Sequence, residues 1–215
     1  MTTTDALIDG LVADATPVRR LRAPLVRAAA YLAGAAIVVA ALIAWQGVRA
    51  DLVARVTQPA FFLSLGGAMA TGILAAWSAA ALSVPGRSRL WLLLPLPTLA
   101  IWLASVGRSC LVNWITLGDG QVQRAEVIDC ALSLVLAALP LTAAMLALLR
   151  RAAPIRLGPA TLAGGLAAAG LTSTAMTLLH QHDASVMVLI WNVGTLALVV
   201  VLQLALARAM PSRAG

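Results

Sequence analysis

The sequence is poor in charge and contains no lysine, so every basic residue is an arginine. Charged residues make up 11% of the 215 residues, whereas 61% are hydrophobic. A typical soluble domain has about 25% charged residues, and a chain with less than half of that share cannot cover its surface with polar groups. The composition therefore excludes an ordinary water-soluble domain and indicates that a lipid bilayer is the solvent of most of this chain.

Motifs of the common enzyme classes are also absent. The sequence has no glycine-rich phosphate loop, no Ser-His-Asp set and no pair of catalytic carboxylates. Its net charge is +7, but the arginines flank apolar runs instead of clustering in one polar domain, which argues against direct binding of nucleic acid. We therefore expect neither an enzyme nor a resident cofactor.

Six apolar stretches are long enough to cross about 30 Å of hydrocarbon, which takes roughly 20 helical residues. Helix is the expected structure because a lipid-exposed backbone must satisfy its own hydrogen bonds. Pro95 and Pro97, near the start of the third stretch, predict a kink or a late helix start there. We expect an all-α polytopic membrane protein, a six-transmembrane-helix bundle preceded by a short N-terminal cytoplasmic helix. The expected spans are 28–48, 60–82, 90–107, 130–149, 160–179 and 185–207.

Arginine placement indicates the orientation of the bundle. With the amino terminus in the cytoplasm, 11 arginines lie on the cytoplasmic side and 4 on the outer side, as the positive-inside rule requires. This orientation puts both termini in the cytoplasm and predicts residence in the bacterial inner membrane. We expect residues 1–23 to form a cytoplasmic segment and residues 24–210 to form the transmembrane domain.

The central parts of the six predicted spans carry no ionisable side chain. Transporters and pumps use such groups inside the membrane as carriers or gates. Their absence argues against a small-solute or metal transporter or channel, which is the alternative function. Interhelical hydrogen bonds are the expected role of four uncharged polar residues, namely Gln46, Asn192, Thr195 and Gln203.

Small residues repeat at helical spacing in the second and fifth spans. Because the hydrophobic effect does not drive helices together in lipid, they pack through close contact between such residues. We expect close helix crossings along a pair formed by Gly66 and Ala70 and along a stripe formed by Gly164, Ala168 and Thr172.

The two cysteines, Cys110 and Cys130, lie at the outer ends of the third and fourth spans. Consecutive antiparallel helices are expected neighbours, and the oxidising outer side of a bacterial inner membrane permits a disulfide. Two thiolates are also soft ligands that suit a thiophilic metal ion. The pair is therefore a structural bridge, two unrelated buried thiols, or a redox or metal switch, and the residues alone leave these alternatives open.

The outer turn between the fifth and sixth spans has the sequence His-Gln-His-Asp. Its His180, His182 and Asp183 are ligand types that suit a transition metal. The alternative is a solvated turn in which Asp183 caps the sixth helix. Both interpretations stay open, and the sequence favours the capped turn.

The N-terminal stretch TDALIDGLVAD predicts a short helix that ends before Pro17. With about 100° between successive residues, its apolar side chains form one stripe with acidic residues beside it. A helix of this length is marginal alone and needs a partner groove for its apolar anchors. The residues expected to bind this partner are Asp5, Leu7, Ile8, Asp9, Leu11, Val12 and Asp14.

The arginines of PVRRLRAP follow this predicted helix. Arg19, Arg20 and Arg22 are expected to meet anionic lipid headgroups at the bilayer surface. The alternative for the helix itself is that it lies on the membrane, but interfacial helices usually have a basic polar face. The acidic face predicted here favours a protein partner instead.

Three segments and the cysteine pair form a pattern along the chain. The segments are LIDGLVADATPVRRLRAPLVRA, LSVPGRSRLWLLLPLP and HQHDASVMVLIWN, and the cysteines are Cys110 and Cys130. Over residues 5–207 this pattern resembles the NrsF-type membrane anti-sigma factors of proteobacteria. The resemblance implies a six-span inner-membrane protein whose cytoplasmic N-terminal segment holds an extracytoplasmic-function sigma factor inactive.

The same resemblance implies a role for the cysteines. Cys110 and Cys130 match the two cysteines that are implicated in releasing the sigma factor under heavy-metal or oxidative stress, with a thiophilic metal ion as one form of the signal. The last motif of the family often reads His-Pro-His-Asp and ends in Trp-His, whereas this chain has Gln181 and Asn192 at those positions. No role that needs a histidine at position 192 is therefore expected.

Overall fold

The computed structural model describes residues 4–13, 21–116, 124–152 and 157–179, and the single positions 194, 197 and 201. These parts of the chain are helices and their connectors, without a β-strand. The elements are α1 (Thr4–Ala13), α2 (Pro24–Gln46), α3 (Leu52–Val56), α4 (Pro59–Leu82), the 3-10 helix η1 (Arg89–Leu93), α5 (Leu96–Thr116), α6 (Arg124–Arg151) and α7 (Leu157–Leu179).

Five stretches in the described residues are long and apolar enough to cross a membrane, and they correspond to the first five predicted spans. Pro24 and Pro59 occupy the first positions of α2 and α4, where proline has a suitable φ and its missing N–H removes no hydrogen bond. The predicted late start in the third span is confirmed, because η1 ends at Leu93 and α5 begins only at Leu96. The sixth predicted span, 185–207, lies outside the described residues except for three helical positions.

Helix α7 lies at the centre of the described bundle. In its apolar stretch 72% of the residues are buried, against 17–33% in the other four. It packs most extensively on α4 and also contacts α6, while α2 lies against α4 and α6, and α5 packs on α4. Large apolar side chains such as Ile37, Trp45 and Phe62 are instead 60–70% exposed, as expected for helices whose outer faces meet lipid.

The closest helix crossing brings the backbones of α4 and α7 together at Gly72 and Gly170. A Cβ atom on Gly170 would lie 2.8 Å from the carbonyl oxygen of Ala68 and 2.9 Å from the nitrogen of Gly72. The predicted stripe on the fifth span is confirmed as buried. The expected crossing at Gly66 is wrong, because a Cβ there meets nothing within 4 Å in the described structure. Position 72, on another side of α4, makes the contact.

Polar contacts at the helix ends show an up-and-down arrangement. Arg27, near the start of α2, hydrogen-bonds Ser83 just after α4, and Gln46, at the end of α2, hydrogen-bonds Ser133 in the first half of α6. We call these the Arg27 end and the Gln46 end of the bundle. The segment that precedes α2 therefore joins the bundle at the Arg27 end.

The connector after α2 is held by a group of ion pairs. Arg49, which is 4% exposed, donates from Nε and Nη2 to the two carboxylate oxygens of Asp51, at 2.7 and 3.0 Å. Nε of Arg55 donates to the same carboxylate at 2.9 Å. The Arg49 guanidinium also lies 5.4 Å from the centre of the Phe61 ring, and its backbone N–H donates to the carbonyl of Leu178 at 3.1 Å. This cluster joins the connector to the end of α7.

The Arg49 guanidinium, hydrogen-bonded to Asp51 and assisted by Arg55, holds the pKa of the Asp51 carboxyl well below its usual range, although partial desolvation opposes the shift. A carboxyl group with a lowered pKa in the folded state stabilises the fold above its unfolded pKa, which is about 4. That contribution disappears only as the pH falls through the lower folded value. The cluster therefore keeps its charge throughout the neutral and mildly acidic range.

We expect Gly170→Ala to destabilise the bundle by about 1–3 kcal/mol, because the added methyl group meets backbone atoms of α4 that cannot rotate away. Thermal unfolding of the purified protein in detergent measures the effect. Gly66→Ala is the matched control, since a Cβ there has open space. Equal melting temperatures for the two variants would contradict the assigned crossing.

We expect Asp51→Asn to lower the melting temperature at neutral pH, because it removes the carboxylate from between two arginines. The difference from the wild type should persist from pH 8 to about pH 5 and shrink only in stronger acid, since the native carboxyl must be protonated before its contribution is lost. Asp9→Asn, on the exposed face of α1, is the control and should change nothing. A difference that vanishes near pH 6 would be inconsistent with the lowered pKa.

Candidate functional site

The N-terminal helix α1 presents its side chains to solvent. All of its described side chains are exposed, including Ile8 at 50% and Val12 at 68%. Asp5 lies in the first turn, where a carboxylate is stabilised by the helix dipole, and Asp9 is exposed one turn later. The apolar side chains of Ile8 and Val12 thus have no cover in the described structure.

Part of the predicted binding set lies beyond what the structure describes. Leu7 and Leu11 belong to α1 by backbone, but their side chains lie outside the described residues, as does Asp14. Arg19 and Arg20 also lie outside, whereas Arg22 is described and exposed two residues before α2. Their roles at the partner and the membrane surface stay predictions.

The helices that carry the cysteines extend further than the sequence predicted. Helix α5 continues to Thr116 and α6 begins at Arg124, so Cys110 and Cys130 each lie six residues inside a helix instead of at its end. The described residues of α5 pack on α4 and η1, and those of α6 pack on α7 and α2. Their side chains lie outside the described part of the structure.

The proposed metal-binding turn is not covered by the described residues. His180, His182 and Asp183 follow directly after the end of α7 and lie outside them. Within the described part of the chain no group of three His, Cys, Asp or Glu side chains is arranged to hold a metal ion. The backbone bond from Arg49 to Leu178 nevertheless places the Arg49 cluster beside the residues that lead into this turn.

The end of α2 is joined to α6 by one side-chain hydrogen bond. Nε2 of Gln46 donates to Oγ of Ser133 at 2.7 Å, and Ser133 is 4% exposed. The prediction that Gln46 forms an interhelical hydrogen bond is confirmed. Ser133 lies three residues after Cys130, about one helical turn along α6. The sequence predicted the two helices, but it did not predict that Gln46 pairs with Ser133, because these residues lie 87 positions apart.

The other end of α2 contains a buried arginine. Nη2 of Arg27 donates to Oγ of Ser83 at 2.6 Å, and that hydroxyl donates to the carbonyl of Ala80 at 2.8 Å. Nη1 of Arg27 and the hydroxyl of Tyr31 are buried without a hydrogen-bond partner in the described structure. A buried guanidinium that loses its remaining partner is costly, so the Arg27–Ser83 bond fixes the start of α2 against the end of α4.

A groove between α2 and α6 is lined by apolar side chains, namely Val38, Ala41, Leu42, Trp45 and Leu136. Among the described residues its lining includes no charged group and no metal ligand. This groove is therefore unsuited to a polar solute or a metal ion, and it gives the transporter alternative no support.

The comparisons with known proteins concern the whole chain. No curated protein matches it, and no solved structure matches it. The family model of NrsF, described as negative regulator of sigma F, matches residues 11–210. That match covers the end of α1, the five described spans and the cysteine pair. The chain therefore belongs to the NrsF family of negative regulators of a sigma factor, which makes a sigma factor its partner.

Proposed function

We propose that this protein is a membrane-bound anti-sigma factor that sequesters an extracytoplasmic-function sigma factor through its N-terminal helix. The observation that carries the proposal is the family match together with the uncovered apolar face of α1. A sigma factor held at the membrane cannot present the surfaces that engage core polymerase, so binding alone suffices for inhibition. This mechanism needs no catalytic group.

The binding mode follows from the character of α1. Ile8 and Val12 are exposed one turn apart and, with Leu7 and Leu11, would lodge in an apolar groove of the sigma factor. Asp5, Asp9 and Asp14 would complement a basic rim of that groove. Folding of a marginal helix on its partner makes the interaction specific and reversible.

The proposal requires a particular orientation in the inner membrane. Residues 1–23 would be cytoplasmic, residues 24–210 would form the six-span domain, and both termini would face the cytoplasm. Arg19, Arg20 and Arg22 would lie at anionic headgroups and position the N-terminal segment at the cytoplasmic surface. The alternating helix directions support an N-terminal segment and a cysteine pair at opposite ends of the bundle.

Release would begin at the cysteine pair. An external two-electron oxidant would join the Cys110 and Cys130 thiols as a disulfide with loss of two protons, or their thiolates would bind a thiophilic metal ion, and either change would alter the packing of the helices that carry them. His180, His182 and Asp183 would serve as an accessory metal site at the same end. A release of roughly 100-fold needs about 2.7 kcal/mol of differential affinity, which is within reach of one thiol bridge or one bound metal ion.

The binding face has a direct test in the full-length protein. Ile8→Asp with Val12→Asp should reduce retention of the co-expressed sigma factor in the membrane fraction at least tenfold, because it places two charges in an apolar contact. Ala6→Asp, on the opposite face of α1, is the matched control. Equal retention by the double variant and the control would sink the proposed binding face.

The trigger is tested by replacing both thiols. The Cys110→Ser, Cys130→Ser protein should hold the sigma factor as the wild type does, because the serines leave α1 unchanged. It should keep holding it after treatment with diamide or Cd²⁺, which should release the sigma factor from wild-type membranes. Co-sedimentation of the sigma factor with membranes measures both. A double variant that responds like the wild type would rule out the cysteine trigger.

A further inference from the structure

We infer that the Gln46–Ser133 hydrogen bond is the relay that carries a change at the cysteine pair to the N-terminal segment. The inference rests on the proposed function and adds the step that connects the cysteine pair with the N-terminal segment. Gln46 and Ser133 are positioning residues in this scheme, since neither touches the sigma factor or the signal. Their contact connects the helix that carries Cys130 with the helix that continues from the N-terminal segment.

The two halves of α6 are held to the bundle in different ways. After Pro140 the helix buries three large side chains at successive turns, Leu141, Met145 and Leu149, each at most 2% exposed. Before Pro140 the described buried side chains are the small ones of Ser133 and Ala137. Residues 132–139 therefore have less interlocking contact in the described structure than residues 141–149, and we take them as the part of α6 that is easier to displace.

Pro140 lies between these halves and favours independent movement. Proline has no N–H to donate to the carbonyl of Leu136, and its ring crowds that carbonyl, so the helix is weakest at this point. Cys130 and Ser133 both precede Pro140 in α6, so they lie in the same half of the helix. A change at Cys130 would therefore move Ser133 with it while the half after Pro140 stays packed.

Helix α2 carries such a displacement across the bundle. Its 23 residues form one helix from Pro24 to Gln46, which is about 34 Å at 1.5 Å per residue. The Gln46 side chain follows Ser133, and the start of the same helix is seated on Ser83 through Arg27. Ser133 is buried and Gln46 is exposed, so water reaches the bond from one side only, and a displacement of Ser133 would move Gln46 with it.

A hydrogen–deuterium exchange experiment tests the relay on the full-length protein in lipid nanodiscs, with diamide as the thiol oxidant. The readout is exchange of the backbone amides of residues 21–30, the start of α2. Diamide should change this exchange in the wild type and leave it unchanged in Gln46→Leu and in Ser133→Ala, each of which removes the hydrogen bond. Sigma-factor retention is measured on the same samples.

Two further variants separate transmission from general stability. Gln58→Leu is the matched control, because Gln58 lies at the same end of the bundle with its side chain exposed, and it should respond to diamide like the wild type. Gln46→Glu should also respond, since its carboxylate can accept a hydrogen bond from the Ser133 hydroxyl. The uncoupled variants should hold the sigma factor normally and lose at least about fivefold of the diamide-induced release, which is the scale of one hydrogen bond.

The outcomes discriminate between failures. A diamide response at residues 21–30 in Gln46→Leu equal to that of the wild type overturns the relay and leaves the proposed function standing. Release of the sigma factor by Gln46→Leu without diamide also overturns the relay, because the hydrogen bond would then stabilise the inhibited state instead of transmitting the signal. If the wild type does not respond to diamide, both the relay and the cysteine trigger are ruled out. If the wild type responds at residues 21–30 but does not retain the sigma factor, only the proposed function is ruled out.

Discussion

The absence of a hydrophobic driving force between helices in lipid governs this structure. Helices there associate through close backbone approach and a few polar contacts. Gly72 and Gly170 provide the approach, because neither has a Cβ to hold α4 and α7 apart. With α7 buried along most of its apolar stretch and α4 packed on it, the other helices assemble around this pair, and their positions are decided by contacts at their ends.

Contacts at both of its ends join α2 to different helices of the bundle. At one end Arg27 is fixed to Ser83, and at the other Gln46 is fixed to Ser133, with the Arg49 cluster joining the next residues to α7. Helix α2 is thus the element that continues from the N-terminal segment and also contacts the helix that carries Cys130. The proposed mechanism, which puts the sensor and the binding helix at opposite ends of the bundle, needs such an element.

The number and approximate limits of the first five spans follow from hydropathy, and α4 agrees with its predicted span to within one residue. Hydropathy did not reveal how far α5 and α6 extend, because Arg108 and the charged residues Arg124, Glu126 and Asp129 interrupt the apolar pattern without ending the helices. Glycine spacing did not show which side of α4 faces α7, so Gly66 was named where Gly72 makes the contact.

The polar contacts were less accessible to sequence reasoning. The spacing of Asp51 and Arg55 by four residues was a local signal for one ion pair, but the burial of Arg49 against Phe61 depends on how the connector folds. The partners of Gln46 and Arg27 lie far along the chain, and no pattern in a single sequence pairs such residues. The apolar stripe of α1, by contrast, was readable from its periodicity, and its Ile8 and Val12 are exposed.

The central claim is that thiols on the outer side of the membrane control a protein held on the inner side. A membrane-impermeant thiol reagent such as MTSET, added to intact spheroplasts, tests it directly when the sigma factor remaining in the membrane fraction is then measured. The account predicts that MTSET releases the sigma factor from wild-type membranes and not from those with Cys110→Ser and Cys130→Ser. Release that occurs only after the membrane is permeabilised would contradict it.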